Sequence, residues 1–95
     1  MTKAEIVAEI ATRTGFDKQV VLSVVEGFMK SVSDSMIDGN SVYLRGFGSF
    51  ILKQRAEKTA RNITKGTTLI VPAHKIPAFK PVQTFMDEVK ETKLR

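Results

Sequence analysis

The chain has 95 residues, 42% of them apolar and 26% charged, with a net charge of +5 and no cysteine. That length fits one domain with a modest core, so association with another chain is expected; the composition excludes disorder throughout, and the missing thiols exclude a disulfide framework and a thiolate metal site. No apolar run approaches the ~18 residues of a membrane span, and the opening MTKAEIVAEI lacks the pattern of a signal peptide, which makes a cytoplasmic location the expectation.

Thr2 and Glu5 stand at capping-box spacing, and Ile6, Val7, Ile10 and Ala11 follow the i, i+3/i+4 rule, which predicts a short helix ending near Gly15. Asp17 is a suitable N-cap for a second helix, with Phe16 placed to staple against Val21. Val21, Val24, Val25, Phe28, Val32 and Met36 continue an apolar stripe until Asp38-Gly39-Asn40 stops it. At ~1.5 Å per residue this helix spans about 30 Å. Its Met and Phe positions read as core rather than as a ligand box. With Val20 and Met29 added, the apolar surface is wider than one seam. A short partner helix cannot bury it all, whereas a second copy of the chain can.

From Ser41 the period changes. SVYLRGFGSFILKQR is rich in β-branched and aromatic residues, and Gly46-Phe47-Gly48 marks a tight connection between strands. A dinucleotide fingerprint would need a third glycine and a following helix. Phe47 and Phe50 are therefore expected to anchor a sheet. Next, KQRAEKTARN is polar on both faces without a Pro or Gly, and Thr67 to Val71 regains strand character. Two extended segments around a turn at Ile63 to Gly66 predict a hairpin arm. Its ascending half, Lys53 to Ile63, would reach about 36 Å as a continuous strand at ~3.3 Å per residue. A free two-stranded ribbon is marginally stable in water, so the arm is expected to need a partner.

The charge concentrates in this region. Residues 1–40 carry a net −2, residues 41–80 a net +7, and residues 81–95 balance. Arg45, Lys53, Arg55, Lys58, Arg61, Lys65, Lys75 and Lys80 have only Glu57 to oppose them. A one-sign field of this kind attracts polyanions, either nucleic acid or the phosphates of a lipid surface. PAHKIPAFKP then leads back with three prolines, which suit an edge strand or a bent crossing. Pro81 is placed to start a last helix with Val82, Phe85, Met86 and Val89 on its apolar side. The tail ETKLR has no assigned role.

Catalysis finds little support. The single histidine, His74, has no second ligand at metal spacing, so a phosphate contact or plain exposure is favoured for it. Acids lie mainly on the helices among bases, and no nucleophile–base pair emerges. No cofactor, metal or small-molecule substrate is expected.

The order helix–helix, GFGSF, a basic arm with ARN near its tip and a Gly at its turn, then PAHKIPAFKP and a last helix resembles the bacterial HU and integration-host-factor family of histone-like DNA-binding proteins. The resemblance covers essentially residues 1–90. It implies an α+β fold forming an intertwined dimer: an N-terminal helix-loop-helix, a three-stranded antiparallel sheet with a long basic β-hairpin arm, and a C-terminal helix. Residues 1–40 would form the helical dimerisation part, 41–81 the sheet with its arm at about 53–75, and 82–95 the C-terminal helix and tail.

The family's arms wrap double-stranded DNA along the minor groove, and a proline after the arm-tip Arg-Asn kinks the duplex. Arg61 and Asn62 match that pattern, but Ile63 stands where the proline would be. Apolar side chains of several shapes unstack base steps, so Ile63 is expected to act as the wedge; the alternative is that it caps the arm or packs on a sugar. Expected DNA contacts are Lys3, Lys18, Arg45, Lys53, Arg55, Lys58, Arg61, Asn62, Ile63, Lys65, Lys75 and Lys80. The expected dimer core is Val25, Phe28, Met29, Val32, Phe47, Phe50 and Phe79. The partner subunit would be a second copy or a paralogue. Two other readings stay open: a structural RNA-binding protein of ribosomal type, and a module whose hairpin pairs with another protein's sheet edge.

Overall fold

The computed structural model describes residues 1–62 and 67–92, with backbone alone for 59–62 and 67–69. It forms two compact units, Met1–Ser35 and Met36–Arg95. In the first, α1 (Lys3–Thr14) opens where the spacing predicts: the Glu5 amide donates to Thr2 Oγ1 at 3.2 Å, satisfying one of the free donors of the first turn. It closes on Gly15, whose φ of 80° is left-handed and whose N–H donates to the Ala11 carbonyl. Asp17 then caps α2 (Lys18–Ile37), accepting from the Gln19 amide at 3.0 Å. Val7 of α1 and Val21 of α2 are buried, and Lys3 Nζ lies 3.5 Å from Glu26 Oε2, an exposed pair that contributes little. Phe16 stays 64% exposed, so the anticipated staple supplies little packing.

The second unit is built on an antiparallel sheet of order β1-β2-β5: β1 (Val42–Leu44), β2 (Gly48–Arg55) and β5 (His74–Pro81). The β1–β2 connection is a turn in which the Phe47 amide donates to the Leu44 carbonyl. Gly46 has φ 82°, and no non-glycine residue has positive φ among the described residues. Positive φ at the third turn position alone is the type II pattern, and only glycine meets it without strain. The proline-rich β5 occupies the sheet edge, as its composition predicts.

The arm departs from the expected continuous strand. β2 pairs with β5 as far as Arg55 opposite His74; pairing resumes only at Lys58 opposite Val71, where β3 (Lys58–Asn62) and β4 (Thr67–Val71) form a separate two-stranded sheet. Pro72 has no amide hydrogen to give the ladder, which accounts for a lapse at this point. The last helix also starts later than expected. α3 (Gln83–Lys90) follows Val82, whose extended backbone (φ −71°, ψ 157°) sends its N–H to the Phe47 carbonyl at 3.0 Å. Pro81 therefore ends β5 and does not open the helix.

Phe79 lies 5.0 Å from both Phe47 and Phe50 between ring centroids, and Phe85 of α3 stacks on Phe47 at 5.5 Å. This cluster is the apolar centre of the second unit, yet Phe47 remains 46% exposed. Among the described residues only Val7 and Val21 are buried apolar side chains.

Candidate nucleic-acid interface

Strand pairing sorts the sheet residues into two faces, because residues directly opposite one another point the same way and successive residues alternate. Phe50 opposite Phe79 and Leu52 opposite Pro77 define the face of the aromatic cluster, and Gln54 opposite Lys75 extends it. The other face carries Ser49 opposite Lys80, Ile51 opposite Ala78, Lys53 opposite Ile76 and Arg55 opposite His74. Lys53, Arg55 and Lys80 thus share the side turned away from the phenylalanines. All three are exposed.

The remaining expected contacts divide as follows. Arg45 is exposed on the β1–β2 turn. Lys75 lies across the sheet from Lys53 and Arg55. Lys58 pairs with Val71 in the outer sheet, where Arg61 stands opposite Thr68 and Asn62 opposite Thr67. Ile63 and Lys65 lie outside the described residues. Lys18 is exposed at the start of α2, whereas Lys3 is engaged by Glu26.

The electrostatics of this surface are simple. Among the described residues the ion pairs are Lys3–Glu26, Arg13–Glu9 and Lys30–Asp34, all on helices. Among the described side chains the sheet cations have no such partner, so their field is left to act outward. No group of metal-ligating side chains occurs among the described residues, and no helix there is long and apolar enough to cross a membrane.

One residue on the cationic face, Tyr43, escaped the reading of the sequence as a site residue. Tyr43, 76% exposed, pairs with Ser49 and so shares a row with Lys80. Strict alternation from Lys53 back through Ser49 would have found it once the turn was fixed. His74 sits directly across from Arg55, which only the register reveals.

The residues expected at the dimer core are open in the single chain. Phe28 and Met29 are each 44% exposed, Phe79 is 38% exposed, and Val25, Val32 and Phe50 are half-buried. Beside Phe79, an apolar groove of about 500 Å³ is bounded by Pro81, Phe85, Met86 and Val89.

Cations at alternating strand positions therefore share one face, on the side away from the aromatic cluster and at the base of a paired ribbon, and their charge suits a polyanion. The Bacterial DNA-binding protein family model matches residues 1–90, and the chain belongs to that family, whose members are non-enzymatic. It is 34% identical over 95 residues to integration host factor subunit alpha of Actinobacillus pleuropneumoniae serotype 5b, covering 100% of this chain and 97% of the relative. It is 36% identical over 90 residues to the SPbeta prophage-derived DNA-binding protein HU 2 of Bacillus subtilis, covering 95% and 98% respectively. These two identities place the chain about equally near an integration-host-factor subunit and an HU protein. Among solved structures it is similar to HU from Anabaena in a cocrystal with DNA, with a TM-score of 0.90 at 27% identity, over 97% of this chain and 100% of that one. The α+β architecture anticipated from the sequence is therefore the HU fold.

Proposed function

We propose that this chain acts as a homodimeric architectural protein that binds double-stranded DNA through the minor groove, with little sequence preference, bending it and compacting the nucleoid in the cytoplasm. The observation that carries the reading is the segregation of Lys53, Arg55 and Lys80 onto one sheet face. Cations fixed at two-residue intervals suit a phosphate backbone, and phosphate contacts position a protein without reading sequence. Arms in the minor groove meet a degenerate base pattern, so discrimination rests on groove width and deformability.

Dimerisation is supported by the surface the single chain leaves uncovered. Val20, Val24, Phe28 and Met29 are 53%, 66%, 44% and 44% exposed on one helix. Burying each fully is worth about 1.5–3 kcal/mol, most of which one chain forgoes. A second copy of the chain is the partner that would cover this helix surface. Relatives of this family act as dimers, and a paralogous subunit would meet the same surface.

Ile63 takes the role of the inserting side chain in this reading. An Ile63→Ala protein is expected to bind linear duplex nearly as well as the parent but to lose preference for nicked or gapped DNA, because unstacking then lacks an insert. Equal preference of both proteins in competition would remove the wedge.

The reading is tested by the salt dependence of duplex binding. Neutralising roughly six to eight phosphates per dimer gives a slope of log K on log salt of about −5 to −7. A flat response would reject the electrostatic mechanism. Equal-length duplex RNA is the control: tighter binding to the A-form helix would favour the ribosomal-type alternative.

A further inference from the structure

The one histidine of the chain lies on the cationic face, at a position where its charge state decides what it offers to a phosphate. His74 is exposed and stands opposite Arg55 in the β2–β5 register. Its Nδ1 is 2.9 Å from the Pro72 carbonyl oxygen. A carbonyl only accepts, so Nδ1 carries the hydrogen in that contact. In the neutral ring Nε2 is then a bare lone pair, which has nothing to donate to a phosphate oxygen. In the imidazolium Nε2 becomes a charged N–H donor, and the bond to Pro72 is kept.

We infer that His74 is a proton-dependent phosphate contact, engaging a nucleic-acid backbone as the imidazolium and standing aside when neutral. The inference rests on the duplex-binding reading above. The charged groups near it in the fold are Arg55 opposite, Lys53 two residues along β2, Lys80 on the same face of its own strand, Lys75 on the other face, and Glu57 and Lys58 beyond the lapse in pairing. Cations outnumber the single acid. A contact that only the imidazolium can make links phosphate binding to proton uptake.

Linkage fixes the sign. A group that must gain a proton to make its contact strengthens binding as pH falls and loses that contribution as pH rises. Between about pH 7.5 and 6.0 the imidazole is the side chain whose charge ordinarily changes, while carboxylates stay ionised. Duplex affinity at fixed salt is expected to be about three- to tenfold higher at the lower pH. More specifically, one extra phosphate neutralised per chain steepens the slope of log K on log salt by about 0.9, or about 1.8 for a dimer.

The experiment measures that slope by titrating a short duplex at both pH values with the full chain and two variants. The parent is expected to show the steeper slope only at pH 6.0. His74→Asn, which keeps a polar side chain but cannot charge, is expected to show the shallow slope at both. His74→Lys is expected to show the steep slope at both. A parent slope that does not change with pH, or a pH-dependent change retained in His74→Asn, overturns the inference while leaving duplex binding intact. Absence of duplex binding at both pH values overturns the DNA reading and this inference with it.

Discussion

Gly48→Ala gives a direct test of how the sheet is packed. Gly48 is buried at the start of β2 opposite Pro81. A Cβ built there would lie 2.6 Å from Phe79 Cζ, 2.8 Å from Phe79 Cε1 and 2.7 Å from the Lys80 carbonyl oxygen. The Phe79 ring cannot swing away freely, because the Phe47 and Phe50 rings each sit 5.0 Å from it. The Lys80 carbonyl belongs to the strand pairing with Ser49, so moving it disturbs the ladder that aligns the cations. Overpacking of this kind costs about 1–3 kcal/mol, a shift of roughly 5–20 °C in the melting temperature of a domain this size. Thermal melts followed by circular dichroism at matched concentrations measure it. A variant melting within about 1 °C of the parent would show that Gly48 is not a steric requirement, and the register argument would lose its anchor.

Removing the α1 cap by Thr2→Ala is expected to cost about 0.5–2 kcal/mol, since the Glu5 amide loses its acceptor; an unchanged denaturant midpoint would contradict the assignment. If a second chain covers the exposed stripe of α2, the melting temperature rises with protein concentration, and a midpoint constant over a hundredfold range would argue for a self-sufficient monomer. Replacing Lys53 and Arg55 by Gln is expected to reduce the salt slope of duplex binding by about 0.9 for each phosphate no longer neutralised. Lys75→Gln, on the opposite face, then serves as the comparison: an equal reduction in that variant would mean that the two faces are not distinguished by DNA.

The helical half was legible because its signals are local. Thr2, Gly15, Asp17 and the Gly39 stop each act within one turn of the chain, and the structure uses each where it stands. The GFG turn was equally readable, since glycine is the residue that takes φ 82° without strain. What the residues did not show was pairing at a distance. KQRAEKTARN has no breaker of its own, so the lapse at residues 56–57 depends on Pro72, which is remote in sequence and adjacent in the ladder. The start of α3 was misread for the same reason: the Val82 amide is claimed by the Phe47 carbonyl, far earlier in the chain. Which cations share a side also follows from register, and composition could only place them in one stretch.

The pause in strand pairing between Arg55 and Lys58, mirrored by Pro72 and Ala73 on the return, divides the ribbon into two lengths of ladder. An angular change at that joint sacrifices no cross-strand hydrogen bond, unlike one made anywhere along either length. The joint lies between Arg55 at the end of the inner ladder and Lys58 at the start of the outer one, so the two lengths need not share one plane.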